Sequence, residues 1–264
     1  MLEIKNITKI FNAGTVNEKV ALHDLSLTLE DGDFVTVIGG NGAGKSTMLN
    51  AVAGTYYVDG GSILIDGNDI TRLPEHKRAK FIGRVFQDPL TGTAADMWIE
   101  ENLSLAAGRG KRRGLKWGIT KKDRAYYKKM LEQLDLGLED RLSTKVGLLS
   151  GGQRQAVTLL MAVMNSPKLL LLDEHTAALD PKTAEKVLSL TDKFINENKL
   201  TAMMVTHNMK DAIAHGNRLI MMNAGRIILD VKGEEKKNLT VETLLEMFSA
   251  ASGVEFAGDR ALLS

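Results

Sequence analysis

The amino-acid sequence predicts an α/β fold, and three short apolar segments carry that prediction. The segments "FVTVI" at 34–38, "LLLL" at 169–172 and "AMMV" at 202–205 have the composition of buried strands. From Ser150 onward, helix-like and strand-like segments alternate along the chain. Ligands bind at the carboxyl ends of the strands in such folds. The residues that follow each segment are therefore the first candidates for function.

The segment after the first predicted strand reads "GGNGAGKST" and matches the phosphate-binding pattern Gly39-x-x-x-x-Gly44-Lys45-Ser46. Helical sequence follows and stops at Gly54, so the strand, loop and helix that this pattern requires are all present. The glycines let backbone N–H groups point at phosphate oxygens, the lysine can reach the β- and γ-phosphates, and the serine can hold Mg²⁺. A plain glycine-rich turn is the alternative. The expected nucleotide contacts are Gly39, Asn41, Gly42, Ala43, Gly44, Lys45, Ser46 and Thr47.

A second helix start with uncovered amides is predicted at "LSGGQ". Ser150 is a natural N-cap there, and Gly151 and Gly152 leave backbone N–H groups accessible. The N-terminus of a helix built in this way can receive an anion. An ordinary capped helix start would explain the same residues when they are considered alone.

Two carboxylates, Asp173 and Glu174, follow the leucine-rich strand. At the carboxyl end of a strand, Asp173 is placed to hold Mg²⁺ through water, and Glu174 is placed to polarise an attacking water. A strand that simply ends in solvated acids is the alternative. The phosphate-binding loop upstream favours the functional interpretation.

The motifs "GGNGAGKST", "LSGGQ" and "LLLLDE", in this order and spacing, resemble those of the nucleotide-binding subunit of an ABC transporter, over about residues 1–250. The resemblance implies one ABC ATPase domain over 1–264: a P-loop NTPase core of the ABC-ATPase type, an antiparallel β subdomain and an inserted α-helical subdomain. The core and β subdomain are expected at about 1–87 and 148–250, and a C-terminal tail at about 251–264. The helical subdomain is expected at about 88–147, mostly helical, with an amphipathic helix at 121–134.

The resemblance also assigns roles to single residues. Gln87 in "VFQDP" corresponds to the residue that senses Mg²⁺ and water and touches the membrane partner. His207 corresponds to the switch histidine at the γ-phosphate, and Asp180 to the loop that crosses between subunits. Phe11 corresponds to the aromatic residue that stacks on adenine, although a place in the core would also explain it. The expected catalytic residues are Glu174, His207 and Gln87, and the expected Mg²⁺ ligands are Ser46, Gln87 and Asp173.

The same resemblance implies a function for the second predicted anion site, at "LSGGQ". Two subunits, expected to be identical, would sandwich two MgATP head to tail, with cross-subunit contacts from Ser150, Gly151, Gly152, Gln153 and Asp180. The other expected partners are membrane permease subunits from separate genes and, indirectly, a substrate-binding protein. A bacterial importer of amino-acid-type solutes is expected, because some stretches resemble a subgroup partly linked to aromatic amino acids. An exporter ATPase is the alternative.

Composition excludes several other classes. Lys and Arg total 34 against 33 Asp and Glu, so the net charge of +1 gives no argument for nucleic acid. The absence of cysteine rules out disulfides and thiolate metal sites. No window approaches the roughly 18 apolar residues of a membrane span, and a peripheral place on the cytoplasmic face of the membrane is expected. ABC ATPases that act on DNA or ribosomes carry long coiled coils or two fused ATPase units, and this sequence shows neither feature. Regulatory subunits usually lack the catalytic glutamate, which is present here as Glu174. Both classes are therefore disfavoured.

Three features allow more than one interpretation. The basic segment 109–122 is either a solvated loop or a contact for an anionic bilayer or a permease. His175 either tunes its neighbour Glu174 or, as we favour here, is a tolerated side chain. Leu90, Met97 and Trp98 lie in or next to a stretch of small residues. Either some of these side chains line a groove for a permease helix, or Met97 and Trp98 seal the core of the helical subdomain.

Overall fold

The computed structural model describes residues 1–111 and 118–252 of the chain. Its strands are β1 (Leu2–Phe11), β2 (Lys19–Leu29), β3 (Phe34–Gly39), β4 (Gly60–Ile65), β5 (Asn68–Asp69), β6 (Ile82–Val85), β7 (Leu169–Asp173), β8 (Thr201–Val205), β9 (Arg218–Asn223) and β10 (Arg226–Lys232). Its helices are α1 (Lys45–Ala53), α2 (Glu75–Arg78), α3 (Ile99–Ala107), α4 (Lys121–Glu132), α5 (Gly151–Val163), α6 (Pro181–Asn198), α7 (Met209–Ala214), α8 (Glu234–Lys237) and α9 (Val241–Ser252), with a 3₁₀ turn at Val146–Leu148. In the part of the chain described, no helix is long and apolar enough to cross a bilayer.

Contacts divide the chain into two compact units, one formed by 1–78 with the described residues from 199 on, and one by 79–198. The first unit contains an antiparallel sheet in the order β2-β1-β4-β5, as the predicted β subdomain requires. It also contains β3, which pairs in parallel with both β8 and β9, while β10 pairs antiparallel with β9. Strand β3 is buried from Phe34 to Ile38, so the apolar run identified in the sequence is the centre of this sheet.

The C-terminal end of helix α1 is fixed by a glycine that the sequence reveals and by an arginine that it does not. It ends at Gly54, as predicted, and this residue has a left-handed conformation with φ of 89°. The side chain of Arg78 is 1% exposed and donates to the carbonyl oxygens of Ala51 and Val52 at 2.7 and 2.8 Å. A positive charge at the carbonyl end of a helix is favourable. Burial lowers the pKa of Arg78, and electrostatic interactions with Tyr57, Asp69 and Glu75 oppose that shift.

In the second unit, β6 and β7 pair in parallel, and every residue from Leu169 to Leu172 is buried. Helix α5 ends near Arg109, whose guanidinium donates to the carbonyl oxygens of Met161 at 2.6 Å and Ala162 at 3.2 Å. Burial lowers the pKa of Arg109. The interpretation of the whole segment 109–122 as a solvated loop is therefore wrong at its first residue, while 112–117 lie outside the described residues.

The expectation that 88–147 is mostly helical is wrong for a large part of that segment. Helix α3 begins only at Ile99, and α4 ends at Glu132, two residues before the predicted end. The loop before α3 is held instead by Asn102, which is 1% exposed. Its side chain accepts from Ala94 N at 2.8 Å and donates to Ala94 O at 3.1 Å and Trp98 O at 3.0 Å. A side chain thus satisfies backbone groups that a helix would otherwise pair. The first two residues of the tail predicted at about 251–264 belong to α9, and the rest, from 253 on, lies outside the described residues.

Candidate nucleotide-binding and hydrolysis site

The phosphate-binding loop between β3 and α1 has the backbone that its glycines predict. Gly39, Gly42 and Gly44 have φ of 150°, 76° and 103°. A Cβ atom on Gly44 would stand 2.7 Å from the carbonyl oxygen of Ala21, so only glycine fits this turn without displacing backbone. Helix α1 begins at the next residue, and no acidic residue lies in its first turn. The loop can therefore direct N–H groups and the positive end of the helix at an anion.

Lys45 lies at the start of α1 and is 7% exposed. Its ammonium group donates to the carbonyl oxygens of Gly39 at 2.7 Å and Gly40 at 3.2 Å. The charge is consequently held against the loop rather than extended into solvent. This arrangement suits a lysine that meets phosphate oxygens as a point charge.

Phe11, at the end of β1, is half-buried rather than fully in the core. Its ring meets Tyr56 edge-on, with the centroids 5.3 Å apart. The preceding residue is fixed by Asp59, which accepts from the backbone N–H of Ile10 at 2.7 Å, and this hydrogen bond lowers the pKa of Asp59. Because part of Phe11 is accessible and its strand end is fixed, it can offer a stacking surface to an aromatic base.

Lys19 links this aromatic residue to the loop, and no motif in the sequence indicates it. Lys19 pairs with Phe11 in the β1–β2 register. Its Nζ lies 3.6 Å from the position that a Cβ atom on Gly42 would occupy. A second cation is therefore present at the loop. Only the pairing of two strands brings Lys19 there, and spacing along the chain does not reveal such a pairing.

His207 follows β8 after one residue and is exposed, so its side chain is accessible to a ligand. The next residue, Asn208, caps α7 by accepting from Lys210 N at 2.9 Å and Asp211 N at 3.3 Å. Burial raises the pKa of Asp211, and the charges of His215 and His207 oppose that shift. An acidic side chain thus lies in the field of the predicted switch histidine.

Asp173 and Glu174 lie at the carboxyl end of β7 in the second unit, as predicted. Arg84 Nη2 is 3.8 Å from Asp173 Oδ2, and the Arg84 guanidinium lies over the ring of Phe86, 4.5 Å from its centroid. Arg84 is not among the residues predicted from the motifs. The signal was the two-residue spacing of Arg84, in β6, and Phe86, directly after that strand, because side chains two residues apart on an extended chain lie on the same face.

The predicted signature segment begins helix α5 with the cap that its sequence indicates. Ser150 Oγ accepts from Gln153 N at 3.3 Å, and Ser150 N donates to Gln153 Oε1 at 3.2 Å. A Cβ atom on Gly152 would collide with the methyl group of Thr183. Thr183 N in turn donates to Asp180 Oδ1 at 3.1 Å, and Thr183 lowers the pKa of Asp180. The structure therefore brings the signature segment and Asp180 together through one threonine.

Gln87 is exposed, directly after a residue that is tied to helix α5. Gln155 is fully buried, and its Nε2 donates to the carbonyl oxygen of Phe86 at 3.2 Å.

Each unit holds part of the predicted set of site residues. The first unit carries Phe11, the phosphate-binding loop and His207, and the second carries Gln87, the signature segment, Asp173, Glu174 and Asp180.

This chain is similar in sequence and in structure to several known proteins. The sequence pattern of the family described as "ABC transporter" matches residues 22–177. The tyrosine transport ATP-binding protein of Clostridioides difficile is 49% identical over 251 residues, which are 95% of this chain and 100% of that relative. The methionine import ATP-binding protein MetN of Corynebacterium efficiens is 36% identical over 234 residues, 86% of this chain and 61% of the relative's length. A dimeric ATP-binding cassette solved in a post-hydrolysis state with ADP and Pi superposes with a TM-score of 0.75 at 32% identity, covering 88% of this chain and 98% of that one.

The fold and the two sets of motifs define a P-loop ATPase with an antiparallel β subdomain and an inserted helical subdomain. The chain belongs to the ABC transporter family, as an ATP-binding and ATP-hydrolysing subunit.

Proposed function

We propose that the chain binds MgATP through Lys45 and the loop around it, hydrolyses it with Glu174 as general base, and powers an importer as one of two ATPase subunits. ATP would link the two subunits, and loss of the γ-phosphate would release them. The chemistry needs little from the protein beyond positioning and charge neutralisation, which the loop amides and Lys45 are suited to supply. His207 and Gln87 would contact the γ-phosphate and the attacking water.

One observation supports the proposal that two ATPase subunits associate around the nucleotide. The capped N-terminus of α5 presents Ser150 and Gly151, both exposed, in a chain whose other loop already has a complete phosphate-binding set. A second anion site is superfluous for one nucleotide within one subunit. It has a use when it faces the γ-phosphate held by another subunit, together with Asp180. The dimeric cassette among the similar structures supports this interpretation.

The oxygen donors Ser46, Gln87 and Asp173 suit Mg²⁺, a hard cation. Among residues 1–111 and 118–252, no group of three or more His, Cys, Asp and Glu side chains gathers as a self-sufficient metal site. Mg²⁺ commonly binds to one or two carboxylates and to substrate phosphates. The donor set therefore fits an ion that arrives with the nucleotide, where it would neutralise phosphate charge.

Similarity to a tyrosine transport ATP-binding protein along that protein's whole length supports an aromatic amino acid as the transported solute. The permease and a substrate-binding protein would be separate chains on either side of the membrane, with this subunit on the cytoplasmic face. Reconstitution with a candidate permease and its substrate-binding protein tests this proposal. Tyrosine with the binding protein should stimulate ATP turnover, and equal stimulation by methionine would contradict the assignment.

Glu174→Gln tests the catalytic proposal. The variant should bind MgATP but hydrolyse it about 10²–10⁴ times more slowly, the span typical of a general base. It should accumulate as an ATP-bound dimer in light scattering, because the bridging phosphate persists. Glu185→Gln, an exposed change on α6, is the matched control and should behave like the unmodified chain. Normal turnover in Glu174→Gln, or an ATP-bound monomer, would refute the proposal.

A further inference from the structure

Glu174 has a backbone conformation that its side chain does not favour. Its φ is 44°, in the left-handed region that residues with a Cβ atom seldom adopt. The residue before it, Asp173, ends strand β7, so the chain changes direction at Glu174 itself. Such a conformation persists only where the surrounding structure holds it, and it tends to occur at functional sites. Some contact close to Glu174 must therefore maintain it.

His175 provides an anchor directly after Glu174. It is 2% exposed, and its Nε2 lies 3.1 Å from the hydroxyl oxygen of Thr191, which is 1% exposed on α6. The Thr191 hydroxyl donates its one hydrogen to the carbonyl oxygen of Val187 at 2.9 Å. The hydroxyl oxygen can then accept a hydrogen bond from His175 in the tautomer that carries a proton on Nε2. This bond fixes the orientation of the imidazole ring deep against α6.

The turn after His175 has its own hydrogen bonds, but they do not connect it to the middle of α6. Ala177 N donates to Glu174 O at 3.0 Å, and Leu179 N donates to Thr176 O at 3.1 Å. These bonds close the turn on itself. Asp180 then caps the start of α6. The contact from His175 to Thr191 ties the residue next to Glu174 to the third turn of that helix.

We propose that His175, held by Thr191, is a positioning residue that keeps Glu174 in its left-handed conformation and its carboxylate aimed for catalysis. The inference rests on the proposed role of Glu174 as general base. Loss of the anchor allows the backbone at Glu174 to relax toward ordinary φ values. The carboxylate then moves, while the phosphate-binding loop, in the other unit, is unchanged. The effect falls on turnover and not on nucleotide affinity.

The test uses Thr191→Val, which removes the hydroxyl at nearly constant volume, with Thr191→Ser as the conservative rescue. Misplacing a reacting group by about 1 Å costs on the order of 100-fold. We expect Thr191→Val to lower kcat by about 10- to 100-fold, with the Kd for MgATP changed by less than a factor of about two. Thr191→Ser should restore most of kcat. The melting temperature of each variant is measured, so that kcat is compared between folded proteins.

Two further comparisons separate positioning from general packing. His175→Ala should lower kcat as much as the double variant His175→Ala/Thr191→Val, because both remove the same bond. In single-turnover assays on the Glu174→Gln background, Thr191→Val should cause no additional loss. Additive losses in either comparison, or an unchanged kcat in Thr191→Val, would overturn the inference. Failure of the proposed function is recognised separately, as normal turnover in Glu174→Gln alone.

Discussion

Lys45 donates from its ammonium group to the carbonyl oxygen of Gly39 at 2.7 Å, so the lysine and the first glycine of the loop hold each other in place. The contact restrains a long side chain that would otherwise lose considerable freedom on meeting a ligand. The lysine is therefore organised for phosphate before it binds one. Replacing Lys45 therefore removes both the positive charge and a hydrogen bond that stabilises the loop.

We expect Lys45→Ala to weaken ATP binding strongly and to abolish turnover, because no uncharged side chain replaces a point charge facing the β- and γ-phosphates. Equilibrium binding of a fluorescent ATP analogue and a phosphate-release assay would measure the two effects. Lys210→Ala, an exposed lysine in α7, is the matched control. Near-normal affinity and turnover in Lys45→Ala would show that the loop is only a structural turn.

Phe11 should contribute to affinity through its ring. Stacking of a base on an aromatic side chain contributes about 1–3 kcal/mol, so Phe11→Ala should raise the Kd for ATP by roughly 5- to 150-fold. Phe11→Tyr keeps the ring and should bind ATP nearly as well. The Kd for inorganic triphosphate should be the same in all three proteins. An equal loss for triphosphate and ATP would mean that Phe11 supports the loop and does not stack on the base.

The motifs predictable from sequence are those whose residues are contiguous. The loop before Lys45, the cap at Ser150 and the strand that ends at Asp173 each depend on a few neighbouring residues, and local propensity already specifies their geometry. Arg84 and Lys19 could not be placed in the same way. Lys19 reaches the phosphate-binding loop, and Arg84 reaches Asp173, through the pairing of strands, which joins residues that are not neighbours in sequence.

The helical subdomain was over-predicted for a related reason. The segment before Ile99 is a loop because the buried side chain of Asn102 bonds three backbone groups of Ala94 and Trp98. A polar side chain that replaces backbone pairing leaves no periodic signal in the sequence. The helix predicted at 121–134 can be identified from sequence because it is amphipathic, but the observed helix ends two residues earlier, at Glu132.

The ion pair between α3 and α4 should be important for stability in the second unit. Glu100 is 1% exposed, and Arg124 contacts its two carboxylate oxygens at 2.6 and 3.0 Å. Arg124→Ala would leave a buried carboxylate without its counter-ion, which destabilises more than losing the pair together. We expect the melting temperature to fall by several degrees. The double variant Glu100→Gln/Arg124→Ala should recover part of that loss, and no recovery would show that packing by Arg124 matters more than charge.

Leu90 and Trp98 remain exposed in the second unit, at 49% and 42% of their surface, and so do not seal its core. Asn102 fixes the loop that carries Trp98 without using the indole ring. An accessible aromatic residue on a fixed loop is suited to anchor a partner, since aromatic side chains often dominate interface energies. On the proposal that a permease binds this subunit, a short amphipathic helix of the permease would pack its apolar face there.

The variant Trp98→Ala/Leu90→Ser tests that hypothesis. We expect the isolated subunit to keep its affinity for ATP and its melting temperature within about 2 °C, because exposed substitutions change stability by less than about 0.5 kcal/mol. Co-purification with the permease should fall at least tenfold, since truncating a single anchor residue commonly costs about 2 kcal/mol or more. Leu105→Ser/Tyr126→Ala changes two other side chains of similar exposure, at 45% and 46%, and should leave assembly intact. If the test variant instead melts several degrees lower and still assembles, Trp98 and Leu90 stabilise the subunit, and the permease binds another surface.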